Sequence, residues 1–247
     1  MKNKVFISII TCCKNSMPYL INNIKSINKQ NFKNYEHIFI ASKSNDKTIP
    51  YLKNLKKKIY FSNSNNIYKA INLGIKKSKG EIIFLLHSDD EVIDKKLFKN
   101  IEKNFFNENI DFIYGNCFIV KRSFPNQITR KWMSKKIINK SNIAYNLPAH
   151  TTFFIRRKVF KELLYNTKFK ISSDYEFLIN LFYKFKGKYI NKFFIKMRTG
   201  GISSSYSKFF IKMKEDLLIL KKFYNSNYLL IYLLKLVNKI KQKLFFI

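Results

Sequence analysis

The chain has 247 residues, 46% of them hydrophobic and 17% aromatic, and carries a formal net charge of +33 at pH 7. That length suits one large domain with a proper core, and the apolar content excludes wholesale disorder. Only five residues are arginine and the lysines run along the whole chain, so a solvated lysine surface is a better reading than a nucleic-acid-binding arm.

Lys, Asn, Ile, Phe and Tyr are abundant together and share A/T-rich codons, which accounts for much of the basicity without any partner. A general attraction to anionic lipid or phosphate follows from the charge in either case. The three cysteines, Cys12, Cys13 and Cys117, lack metal-ligand spacing and form no disulfide framework, as fits a reducing cytosol. Val5 to Ile10 is too short for a signal peptide and reads as a first strand. No uncharged apolar stretch reaches the ~18–20 residues that span a bilayer.

In chain order, strands are predicted at Val5–Ile10, His37–Ile40, Ile59–Phe61, Ile82–Leu86 and Phe112–Tyr114. Between them Leu20, Ile21, Ile24 and Ile27 recur at helical spacing, with Ser16 and Pro18 as cap and first turn. Ile67, Ala70, Ile71, Gly74 and Ile75 form a second helical face; Leu97, Phe98, Ile101 and Phe105 form a third, opened by Asp94. This alternation predicts an α/β fold with a mostly parallel central sheet and helices on both faces, the continuous run Ile82–Leu86 being a central strand. Lys121 to Asn146 reads as an irregular lysine-rich connection with some helix around Trp132. A strand at Thr152–Ile155, a helix from Asp174 to about Tyr183, a strand at Lys188–Ile195 and two terminal helices complete the chain. The expected organisation is one domain over 1–205, its halves meeting near residue 120, and a helical appendage over 206–247.

In an open parallel sheet, ligands bind beyond the carboxyl ends of the strands. No GxGxxG or GxxxxGK[ST] loop follows any predicted strand, which argues against a dinucleotide oxidoreductase and a P-loop NTPase. The central strand is followed instead by His87, Ser88, Asp89, Asp90 and Glu91. Carboxylates there suit a divalent cation shared with a diphosphate, although the same acids could simply cap the next helix.

Seven segments in order carry more information than that triplet. They are Ser8–Thr11 with Lys14-Asn15, Glu36–Thr48, Ile67–Ile75, Lys79-Gly80-Glu81 with His87–Asp90, Ala149–Arg157, Ser173–Glu176, and Met197–Ser203. This series resembles family 2 glycosyltransferases of the GT-A fold, the later segments resembling the colanic-acid, surface-polysaccharide type, and it covers roughly residues 4 to 205.

The resemblance implies an inverting transferase that moves a sugar from a nucleoside-diphosphate sugar to an acceptor hydroxyl, on a glycan or lipid-linked glycan. It implies Thr11, Asn15, Asp46, Tyr68 and Asn72 on the nucleotide side, with Tyr68 and Asn72 one helical turn apart. It further implies Asp89, beside Asp90, as the acid holding Mn²⁺ or Mg²⁺, Asp174 as general base, and His150 and Arg198 flanking diphosphate and acceptor. Ser173 and Glu176 also fit a capping box around that base. The chain departs from the family pattern at Ala41 and Lys69, at His87, and at Thr167–Lys170, where a Gly-x-Phe-Asp motif is eroded.

Two other readings stand beside this one: a weakened relative that binds sugar nucleotide but turns over poorly, and, less favoured, a basic nucleic-acid-binding protein. No nucleic-acid partner is expected. The expected location is cytoplasmic, with an attachment to the inner face of the membrane. From Tyr228 onward Leu229, Leu230, Leu233, Val237 and Ile240 alternate with Lys235, Lys239 and Lys241. Such a helix lies in an anionic headgroup region or packs on the domain.

Overall fold

In the computed structural model, residues 5–136, 142–200 and 208–244 are described. Three parallel pairings build the first half of the sheet. Strand β1 (Ile7–Cys13) lies between β2 (Tyr35–Ala41) and β4 (Ile82–Leu85), and β3 (Lys58–Phe61) extends the edge beyond β2. The chain thus builds outward from β1 in one direction and returns to its other side with β4. That reversal opens a crevice at the carboxyl ends of β1 and β4.

The second half is mixed. β8 (Phe154–Arg156) runs antiparallel to β4 and to β6 (Phe112–Val120), and β6 pairs in parallel with β9 (Gly187–Arg198). The two-residue β5 (Glu91–Val92) joins β9, and β7 (Ile128–Trp132) forms a hairpin with β6. The full order is β3-β2-β1-β4-β8-β6-β9-β5.

Side-chain alternation divides the core between the two sheet faces. Ile7, Ile9 and Phe84 pack with Phe98, Ile101 and Phe105 of α4 (Leu97–Asn107), whereas Ile10, Ile83 and Leu85 meet α3 (Ile67–Lys77). β4 is buried on both faces throughout. Helix α3 comes so close to β1 that a Cβ on Gly74 would stand 2.4 Å from Ile10 Cγ2. Asn66 caps that helix by accepting from Tyr68 N at 2.9 Å.

Several elements differ from the sequence reading. β1 begins later than predicted and takes in Thr11, Cys12 and Cys13, because these pair with Phe39, Ile40 and Ala41 of β2; the Thr11 hydroxyl also lies 2.9 Å from His37 Nε2. Ser16 does not cap α1 (Tyr19–Asn28); its hydroxyl bonds Ser88 at 2.9 Å across the mouth of the crevice. A short α2 (Thr48–Asn54) was not predicted, since Leu52 is its only fully buried apolar residue and gives no periodic signal. Trp132 ends a strand, not a helix, its hairpin being set by pairing with β6. His150–Thr152 turns as a 3-10 helix where a strand was expected to begin.

Helices α5 (Ser173–Lys184), α6 (Phe209–Tyr224) and α7 (Tyr228–Leu244) close the fold. Tyr175 and Ile179 of α5 bury against Ile219 and Leu220 of α6 and Ile231 of α7.

Candidate active site

The crevice at the β1/β4 reversal is lined by loops whose own hydrogen bonds fix them. Asn15 holds a left-handed backbone, φ 48°, and its Oδ1 accepts from Asn45 N at 2.8 Å, tying the loop after β1 to the loop after β2. Asp46 accepts from Met17 N at 2.9 Å and Thr48 N at 3.0 Å. Partial burial opposes ionisation, but the bonds from Thr48 and Met17 prevail and hold this carboxyl below its ordinary range. Thr11 is fully buried beneath these loops. Burial pushes the Cys12 thiol up to about 12, so it is no nucleophile.

At the end of β4, atoms of His87, Asp89 and Asp90 lie within 4.8 Å of one another. Asp90 is buried and neither carboxylate oxygen has a hydrogen-bond partner. Burial first, then the charge of Asp89, raises its carboxyl well above the usual range. Two orphaned oxygens beside an imidazole and a second carboxylate fit a divalent cation, which takes oxygen and imidazole ligands. Asp89 also accepts from Arg122 Nη1 at 3.1 Å.

Arg198, at the end of β9, is buried and fixes this corner. It donates to Asp89 O at 3.1 Å, to Arg122 O at 2.8 Å and to Glu91. Both guanidinium groups lie over the Tyr19 ring, at 4.6 Å for Arg122 and 5.0 Å for Arg198. The sequence reading did not place Arg122 or Tyr19 here. The rarity of arginine in a lysine-rich chain was a weak signal, because Arg122 lies two residues beyond β6 and reaches the site only in the folded chain, where it bonds Asp89 and Thr199 O.

Toward the second half, the His150 ring lies 6.4 Å from that of His87, and its Nε2 is 2.6 Å from Tyr165 Oη. Burial lowers its pKa to about 4, the Asp174 charge only partly opposing this. Asp174, on the first turn of α5, accepts from Tyr68 Oη at 3.1 Å and from Tyr175 N at 2.9 Å. Tyr68 therefore faces the segment before α5, and Asn72 does the same, exchanging bonds with Tyr165 O at 2.8 Å and Tyr165 N at 3.1 Å. The capping box is not formed: Ser172 is the N-cap, and Glu176 bonds Asn166 and Lys222 instead. Of the motif Met197–Ser203, residues 201–203 lie outside the described residues.

His150 thus stands near both groups, its ring 6.4 Å from that of His87 and its imidazole within reach of the Asp174 charge. Comparisons with known proteins give the family and the fold. A family model described as glycosyl transferase family 2 matches residues 8–164. An uncharacterized glycosyltransferase of Haemophilus influenzae is 30% identical over 217 residues, covering 84% of each chain. A Campylobacter jejuni protein named GalNAc(5)-diNAcBac-PP-undecaprenol beta-1,3-glucosyltransferase is 28% identical over 200 residues, 76% of this chain and 63% of that one. Among solved structures, TarS of S. aureus superposes with TM-score 0.71 at 16% identity over 95% of this chain, which spans only 43% of TarS. The mannosyltransferase PcManGT of Pyrobaculum calidifontis, in complex with GDP-Man and Mn²⁺, gives 0.60 at 13% identity, over 90% of this chain and 64% of that one. With the sheet of the GT-A glycosyltransferases and a family match over most of its length, this chain belongs to glycosyl transferase family 2.

Proposed function

We propose that the chain transfers a sugar, with inversion, from a nucleoside-diphosphate sugar to a hydroxyl of a lipid-linked glycan in surface-polysaccharide assembly. The observation that carries this reading is the grouping of His87, Asp89 and Asp90 within 4.8 Å, with the His150 ring 6.4 Å from that of His87 and within reach of the Asp174 charge. TarS has been solved with UDP-GlcNAc and PcManGT with GDP-Man and Mn²⁺, which supports a nucleotide-sugar donor. The name of the Campylobacter relative supports a lipid-linked acceptor.

In this reading Asp89, Asp90 and His87 hold Mn²⁺ or Mg²⁺, which when bound neutralises charge on the leaving diphosphate. Arg122 and Arg198 add fixed positive charge at the same corner. Thr11, Asn15 and Asp46 belong to the nucleotide side. Tyr68 and Asn72 brace the segment that carries the base, and His150, neutral at pH 7, orients groups between the two halves. Asp174 removes the acceptor proton as the acceptor oxygen bonds to the anomeric carbon. The bond from that carbon to the diphosphate oxygen breaks, and the nucleoside diphosphate leaves with the electron pair. One displacement inverts the anomeric centre.

Incubation with UDP- and GDP-sugars and a polyprenyl-linked acceptor, with the product's anomeric configuration read by NMR, tests this. Retained configuration, or full activity in excess chelator, overturns the mechanism. Donor binding without turnover favours the weakened relative, for which the departures at Ala41 and His87 speak.

No helix among the described residues is long and apolar enough to cross a membrane. The proposed attachment is peripheral, through the exposed residues Leu230, Leu233, Val237 and Ile240 of α7, on a cytoplasmic anionic surface.

A further inference from the structure

We infer that Glu215 is the positioning residue for Asp174, holding the base in place from the C-terminal helix α6. The inference rests on the assignment of Asp174 as general base. Glu215 is 8% exposed, and its carboxylate accepts three consecutive backbone N–H groups: Lys170 at 2.7 Å, Ile171 at 2.9 Å and Ser172 at 2.9 Å. These donors immediately precede α5, where no intrahelical carbonyl can satisfy them, and a carboxylate is favoured at a helix N-terminus.

The opposite edge of the same loop is held by Tyr68, whose hydroxyl donates to the Ile171 carbonyl and also lies 3.1 Å from Asp174 Oδ1. A single hydroxyl proton is shared between those two acceptors. Any shift of residues 170–172 therefore displaces Asp174 and redistributes that proton between the two acceptors. The three amides and Tyr68 pin the loop from both edges, and Asp174 follows two residues later.

Helix α6 is itself anchored, so it is a fixed support. Asp216 takes Lys212 at 3.2 Å and Lys235 of α7 at 2.8 Å, and Lys222 reaches Glu176 of α5 at 2.9 Å. Lys235 also lies 3.3 Å from the centroid of the Tyr175 ring, one residue beyond Asp174. Helices α6 and α7 thus support the start of α5 from behind.

A residue that only stabilises the fold lowers turnover whether or not the base is present. A positioning residue has nothing to act on once the base is gone. The test is a double-mutant cycle of Glu215→Gln and Asp174→Asn, read by nucleoside diphosphate release in single-turnover reactions, with thermal melts alongside. Glu215→Gln should lower kcat by about 10–100-fold at unchanged donor KM, the scale of a ~1 Å misplacement. It should cause no further fall in the Asp174→Asn background. Turnover within about two-fold of wild type, or an equal fall in both backgrounds, overturns the inference. If Glu215→Gln does not fold, Glu215→Asp, which keeps the charge and shortens the reach, carries the same cycle with the same two criteria. Wild-type turnover in Asp174→Asn alone would sink the base assignment itself, an outcome distinct from a collapsed Asp174→Asn with an additive Glu215→Gln.

Discussion

Asp174 and His37 show how differently two polar groups respond to their surroundings. Asp174 is partly exposed, held by one tyrosine hydroxyl and one backbone N–H. Replacing it with Asn should cost little stability, ~0.3–1 kcal/mol for a first-turn acid, whereas loss of a general base commonly costs ~10²–10⁴ in rate. Paired melting curves and turnover measurements decide between base and cap: a variant that keeps a tenth or more of wild-type turnover, roughly, leaves only the cap. Asp89→Asn should weaken Mn²⁺ binding, measured directly by electron paramagnetic resonance, because an amide cannot supply the charge that a divalent ion needs. Unaltered Mn²⁺ affinity would remove Asp89 from the cation corner. His37 bears on stability. Burial, helped by the charge of Lys57, lowers its pKa from 6.5 to about 3, and its Nδ1 is buried without a partner. The folded state therefore disfavours the proton that the unfolded chain accepts. The stabilisation is complete above pH 6.5 and is lost as pH falls toward about 3, at up to about 1.4 kcal/mol per pH unit. His37→Asn should flatten the stability profile between about pH 6 and 5, where most carboxylates are still ionised. An unchanged slope in urea titrations would refute this.

At the scale of elements, α3 and α7 make opposite demands on their surroundings. α3 needs a missing side chain, since a Cβ at Gly74 would press into Ile10 Cγ2 and Ile40 Cγ1. Gly74→Ala gains about 1 kcal/mol of helix propensity but faces an overpacking cost of about 1–3 kcal/mol. A contact as short as 2.4 Å puts the cost at the upper end. The expected result is a net loss of stability by chemical denaturation; a gain would show that the helix can lift off the sheet at little cost. α7 instead has apolar residues left over. Ile231 and Lys235 face inward, to the core and to Asp216, while Leu230, Leu233 and Val237 are exposed along the opposite stripe. Deleting α7 would also strip Lys235 from Asp216, so substitutions on the outer stripe give the cleaner test. At about 0.5 M salt, where the charge attraction is screened, Leu233→Ser with Val237→Ser should release the protein from vesicles rich in anionic lipid without lowering its melting temperature. Unchanged vesicle binding assigns that stripe to something other than lipid.

For the whole molecule, the net charge of +33 sets a long-range attraction that needs no particular residue. Binding to anionic vesicles should weaken steeply as salt rises from about 0.05 to 0.5 M, since the Debye length shrinks from above 10 Å to below 5 Å. Cosedimentation measures this, and salt-independent binding would mean that apolar insertion alone holds the protein. Against that charge, three acids, Asp89, Asp90 and Glu91, follow one another just beyond β4.

What the sequence alone determined was whatever local pattern encodes. Apolar runs placed the strands of the first half, helical spacing placed α1, α3, α4 and α5, and seven ordered segments pointed to the family. Interactions between distant segments were not legible. β7 forms because β6 offers it an edge, so the helical reading near Trp132 gave way. Helix α2 forms on the strength of one buried leucine. Arg122 reaches Asp89 across 33 residues, and Glu215 reaches the loop before Asp174 across more than 40. Each of these partnerships satisfies a charge or a backbone donor that has no local partner. Their residue types are common on any surface, so only the tertiary structure, by burying them together, decides which glutamate holds the loop before α5 and which merely meets solvent.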